Sequence, residues 1–173
     1  MDTESVILTV IGADKPGLVE RLATIVADHH GNWLESRMAR LAGQFAGILQ
    51  VEVASAHREA LVQALNRVHD GSLQVTASRL GASRAETTVT QRVRLELVGT
   101  DRPGIVQQIS RVIAACGVNV EEIETTAESA PMSGETLFKA TASLQVPSGV
   151  ALAKLQEDLE EVSQDLMVDI ALS

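Results

Sequence analysis

The chain has 173 residues, 45% of them apolar, and a formal net charge of −9. It is long enough for one ordinary domain or two small ones, too apolar for a disordered chain, and too acidic to favour direct contact with a phosphate backbone. Aromatics make up only 2% (Trp33, Phe45 and Phe138), so the core must be aliphatic, and the lone Cys116 excludes an intramolecular disulfide framework.

The first residues, MDTESVILTVIG, place Asp2 and Glu4 before the apolar run, where a secretory signal would carry basic residues. No apolar run approaches the roughly 20 residues that span a bilayer. A soluble, cytoplasmic protein is expected. A strand is expected over 5–11. It is apolar on both sides (Val6, Ile7, Leu8, Val10, Ile11), so its second face is expected to be covered too, sheet on sheet or edge to edge, within the chain or in a homodimer.

GADKPG follows at 12–17. Gly12 would end the strand at a sharp bend. Asp14 could accept hydrogen bonds from the first N–H groups of the next helix, and Pro16 would sit near its first position. Gly17 would bare the helix mouth, so that the N–H groups of Gly17, Leu18 and Val19 face outward with the positive end of the dipole, suited to a carboxylate or phosphate. With Asp14 beside it to meet an ammonium, the turn would fit an amino acid. The same residues also make a good strand-to-helix turn with no ligand at all.

The helix that follows has apolar residues at 18, 19, 22, 25, 26 and 29 if His29 is counted on that face, one stripe at 3.6 residues per turn. Two strands are expected at 33–41 and 45–54. A second helix follows Ser55, with Leu61, Ala64, Leu65 and Val68 on one side, and a strand closes the unit at 73–80. GASRAET, 81–87, reads as linker, dividing a first domain at 1–82 from a second at 88–173 across 83–87.

The second half repeats the first. Residues 97–106, LVGTDRPGIV, overlie 10–19, VIGADKPGLV, at an offset of 87, and the apolar register continues through Ile109, Val112 and Ile113 to Asn119 over Asn32. The predicted order is a strand at 91–98, a helix with apolar positions 105, 106, 109, 112, 113 and 116, and strands at 119–127 and 136–146. A helix after Ser148 carries Leu152, Leu155, Leu159 and Val162, and a strand closes the unit at 166–172. Ser55 and Ser148 are expected N-caps. The fold class is α+β: two βαββαβ, ferredoxin-like units in tandem, each an antiparallel sheet with its helices on one face. The copies differ before the second strand, His29-His30-Gly31-Asn32 against Cys116-Gly117-Val118-Asn119, so those turns are expected to differ.

A ferredoxin-like unit with G-x-D-[KR]-P-G at its first strand–helix junction and Asn opening the next strand resembles the ACT domain. Two such units with nothing attached resemble the glycine cleavage system transcriptional repressor family, as does ESRMARLAGQFAGILQVEV, 35–53. The resemblance implies a regulatory protein without cofactor or metal that binds an amino acid, such as glycine or serine, between paired domains. It places the ligand at Gly12, Asp14, Pro16, Gly17, Leu18 and Asn32, and at Gly99, Asp101, Pro103, Gly104, Ile105 and Asn119. It also implies action through a protein partner, a DNA-binding activator, and a homo-oligomer.

Other readings carry less. His29, His30, His57 and His69 are scattered, without metal-ligand spacing. Cys116 falls on a helix's apolar face, where an inert thiol is the default. No phosphate-cradling loop with a dedicated arginine is present, Arg102 and Lys15 reading as solvated, and three aromatics cannot build an RNA-stacking sheet twice. EEIE at 121–124 and EDLEE at 157–161 read as solvated faces, or as a surface for a basic partner. Against the sensor stands a ligand-independent scaffold; an enzyme is third, for want of a nucleophile–base pair.

Overall fold

A computed structural model describes residues 2–68, 73–79, 89–130 and 134–173. The chain divides into two compact units, Met1–Arg84 and Ala85–Ser173. The linker 83–87 lies outside the described residues, as does His69.

Unit one runs β1 (Thr3–Ala13), α1 (Leu18–Asp28), β2 (Asn32–Leu41), β3 (Gln44–Ala54), α2 (Ser55–Asn66) and β4 (Leu73–Arg79). Unit two repeats it as β5 (Thr90–Thr100), α3 (Ile105–Ala115), β6 (Asn119–Ser129), β7 (Thr136–Pro147), α4 (Leu152–Leu166) and β8 (Val168–Leu172). The sheets have the orders β2-β3-β1-β4 and β6-β7-β5-β8, every described pairing antiparallel. This is the split βαβ plan twice over.

Alternation along the strands decides which face is buried. Val6, Leu8 and Val10 of β1 join Leu49, Val51 and Val53 of β3 under Leu18, Leu22 and Val26 of α1 and Leu61 and Leu65 of α2. In unit two, Val93, Leu95 and Leu97 meet Ile105, Ile109, Ile113, Leu155 and Leu159 in the same way. Burying each such side chain contributes about 1.5–3 kcal/mol. Trp33, Phe45 and Phe138 pack at the margins of these cores, so none of the three aromatics offers its ring as a platform on the sheet.

The opposite faces differ. In unit one that face carries Ile7, Ile11 and Ile48, the last two 47% and 53% exposed. In unit two the corresponding face is mainly polar, with Arg92, Arg94 and Glu96 on β5 paired across to Gln145, Ser143 and Thr141 on β7, and Val98, 41% exposed, in the place of Ile11.

Several local expectations change. Val19 and Val106, assigned to the buried stripes, are 48% and 44% exposed, because each follows the first helical residue and lies off the i, i+4, i+8 line that packs inward. Neither serine caps a helix. Ser55 is the first residue of α2, its hydroxyl donating to the carbonyl of Asp2 at 3.1 Å. Ser148 lies ahead of α4, which begins at Leu152, and its N–H donates to Val89 O at 2.9 Å. Leu166 is the last residue of α4, not the first of a strand, since its side chain continues the Leu155–Leu159 stripe into the core; Met167, at φ 52°, then turns the chain into β8.

The turns before Asn32 and Asn119 are the same turn. The N–H groups of His30 and Gly31 donate to Ala27 O and Val26 O, and those of Gly117 and Val118 to Ala114 O and Ile113 O. Both are Schellman closures, with the left-handed residue at His30 (φ 57°) and Gly117 (φ 68°). Gly31 answers a different demand: a Cβ there would come within 2.9 Å of Val26 Cγ1 and 3.0 Å of Val51 Cγ1.

Candidate functional site: the paired strand–helix turns

The two GxDxPG segments adopt one geometry. β1 continues through Gly12 to Ala13, and β5 through Gly99 to Thr100, so neither first glycine makes the bend. Gly12 lies between Phe45 and Leu73, and Gly99 between Phe138 and Val168. At Gly99 the need for glycine is steric, since a Cβ would fall 2.4 Å from Val168 Cγ1.

The chain then leaves the sheet. Asp14 N–H donates to Gly43 O at 2.9 Å, and Asp101 N–H to Thr136 O at 2.8 Å, tying each turn to the tip of the neighbouring hairpin. Pro16 and Pro103 stand one place before the N-caps, Gly17 and Gly104, rather than inside the helices. Those two glycines have φ 88° and 97°, a left-handed conformation that glycine takes without strain. A Cβ on Gly17 would meet nothing within 4 Å, and on Gly104 only Gln108 Nε2 at 3.7 Å. The helix mouths are therefore open, and no side chain caps either helix.

Asp14 consequently does not cap α1. Its carboxylate forms an ion pair with Arg40, Oδ2 to Nε at 2.6 Å, the arginine reaching over from the end of β2. In unit two, Arg102 turns away from its own loop and donates to Asp165 O at 2.6 Å, near the C-terminus of α4, where a cation complements the helix dipole. It is thus engaged rather than solvated.

Leu18 and Ile105 point inward, only 7% and 2% exposed, so a ligand at either turn would meet their N–H groups and not their side chains. Asn32 and Asn119 lie at the far end of the sheets. Asn32 pairs with Glu52 while Ala13 pairs with Gln44; Asn119 pairs with Gln145 while Thr100 pairs with Leu137. Eight residues of strand separate those levels, roughly 27 Å at the usual rise per residue. No amino-acid-sized ligand can touch both the turn and the asparagine of one unit.

Two depressions lie elsewhere, on the outer sheet faces. One of about 190 Å³ is lined by Ile7, Ile48, Glu35 and Arg37, and one of about 510 Å³ by Arg92, Arg94, Glu122 and Glu124. Neither includes a turn residue. Among the described residues no group of His, Cys, Asp and Glu converges as metal ligands would, and no helix is long and apolar enough to cross a membrane. His30 and His57 do approach, ring centroids 5.0 Å apart. Cys116, at the end of α3, donates its thiol to Asp158 Oδ2 at 3.6 Å; burial, then that carboxylate, push the thiol above its usual range.

Arg40 escaped the sequence reading. Its signal was the hairpin LAGQ: with Ala42 and Gly43 both at positive φ, a two-residue turn sets Arg40 opposite Phe45, the partner of Gly12.

Two ferredoxin-like units with matching open strand–helix turns make a tandem module of the βαββαβ kind. The ACT domain family matches residues 4–78 and again residues 87–165, and the chain belongs to that family as a tandem ACT-domain protein. A UPF0237 protein of Methanopyrus kandleri is 32% identical over 80 residues, covering 46% of this chain and 82% of the relative. A crystal structure of a protein of unknown function from Galdieria sulphuraria superposes with a TM-score of 0.84 at 31% identity, over 99% of this chain and 98% of that one. The structure of a proposed glycine cleavage system transcriptional repressor shares the fold over 100% of this chain and 98% of its own, with a TM-score of 0.69 at 20% identity.

Proposed function

We propose that this protein is a non-enzymatic sensor in which an amino acid, glycine or serine first among the candidates, binds at the β1–α1 and β5–α3 turns. The observation that supports it is the repeated open helix mouth: a left-handed glycine, no side-chain cap, and an aspartate beside the first turn. The mouth suits the ligand carboxylate and the aspartate its ammonium. Binding would shift the population of the form that holds a protein partner, by the ligand's differential affinity for the two forms. The partner we propose is a DNA-binding activator of glycine cleavage genes, with the regulator acting in the cytoplasm as a homodimer; the likeness to the proposed repressor supports only the transcriptional setting.

Calorimetric titration with glycine and serine tests this. A saturable heat is expected for one of them. Silence across the amino acids from a folded sample would remove the sensor reading. One observation favours a second reading, a ligand-independent interaction scaffold: the positive φ of Gly17 and Gly104 already accounts for both glycines. A partner captured with the same affinity in the presence of every amino acid would establish it.

A further inference from the structure

The two turns share a backbone but not their charges. Register places Arg40 opposite Phe45 in unit one and Ala127 opposite Phe138 in unit two, and Phe45 and Phe138 are in turn the partners of Gly12 and Gly99. Ala127 therefore stands where Arg40 stands. In turn one, Arg40 Nε lies 2.6 Å from Asp14 Oδ2. In turn two, Arg102 is spent on the Asp165 carbonyl, and the Asp101 side chain has no ion-pair partner among the described residues. The helix mouths differ as well. α1 carries Glu20 in its first turn, and α3, with Gln107 at that position, carries no acid there.

We propose that the turns are non-equivalent, with Arg40 and Glu20 as the specificity-determining residues: turn two is the amino-acid site, and turn one discriminates poorly for the amino group. The inference rests on reading the turns as amino-acid sites. A ligand ammonium approaching Asp14 must displace a guanidinium already there, whereas Asp101 is open to it. A ligand carboxylate at α1 meets the repulsion of Glu20, whereas α3 offers the positive end of its dipole without an acid in the first turn. An exposed ion pair and a charge at a helix end each have a modest effect, so the two together weaken glycine binding at turn one by roughly 3- to 20-fold relative to turn two.

The test is a two-dimensional ¹H–¹⁵N NMR titration of the full chain with glycine and, separately, with glycolate, which replaces the ammonium by a hydroxyl. The amides of Gly17 and Gly104 report the two turns. In the wild type, Gly104 is expected to saturate at lower glycine than Gly17, and to show the larger glycine-over-glycolate preference. The double variant Arg40→Ala, Glu20→Gln gives turn one the residues of turn two. It is expected to bring the Gly17 titration toward that of Gly104 and to raise its glycine preference, leaving Gly104 unmoved. Arg40→Gln, which keeps the packing stem, is expected to shift Gly17 in the same direction. Equal affinities in the wild type, or a Gly17 response unchanged in both variants, would overturn the non-equivalence and leave the sensor standing. No response at either glycine to any amino acid would overturn the sensor and this inference with it.

Discussion

At the residue scale, the repeated glycines serve two different physical demands. Gly99 has no room: its Cβ would lie 2.4 Å from Val168 Cγ1. Gly17 has room but a φ of 88°. Gly99→Ala is therefore expected to lose about 1–3 kcal/mol through overpacking of β5 against β8, and Gly17→Ala about 1–2 kcal/mol through left-handed strain alone. Urea unfolding measures both, and a Gly17 variant more damaging than the Gly99 variant would contradict the assignment. Cys116 gives a second check. Asp158 accepts from the thiol and contributes to keeping it protonated, so Asp158→Asn is expected to speed alkylation of Cys116 by iodoacetamide at pH 8. An unchanged rate would leave burial as the sole cause.

At the element scale, α1 and α3 show how different residues build one turn. Both helices close in a Schellman motif, yet the left-handed place is filled by His30 in one and Gly117 in the other. His30 pays a steric cost that Gly117 does not. His30→Gly is expected to stabilise unit one by up to about 1 kcal/mol, and Gly117→His to destabilise unit two by about 1 kcal/mol or more. Thermal melts compare the pair, and shifts of the same sign would show that the ring contact of His30 with His57, not the backbone, decides. Element types and order were legible in the sequence because hydrophobic period reports burial directly: alternation in β5, a 3–4 spacing in α1 and α3. The ends were not. β1 extends to Thr3 and Ala13 because β3 supplies partners from Ala54 to Gln44, and the helix α4 takes Leu166 because the core lies on that side. Those are pairing and packing choices made by residues distant in sequence.

At the scale of the whole molecule, charge is distributed unevenly between the halves. Residues 1–85 carry 8 basic and 9 acidic side chains, residues 86–173 carry 6 and 14. A chain so acidic is expected to leave duplex DNA unretarded in a gel-shift assay at 50 mM salt, where counterion release would most help a binder. Retardation by the pure protein would remove the need for a DNA-binding partner. The duplication itself and the fold class follow from the amino-acid order, since a repeated motif carrying a continuing apolar register records the same local folding solution twice. The tertiary structure decided what the motif's parts do. It drew Gly12 and Gly99 into the sheets, left Val19 and Val106 exposed beside the buried Leu18 and Ile105, and set Asn32 and Asn119 at the far ends of their sheets from the turns. It also brought Arg40 onto Asp14 across 26 positions of chain, a contact created by hairpin geometry and so invisible to any reading of neighbours in sequence.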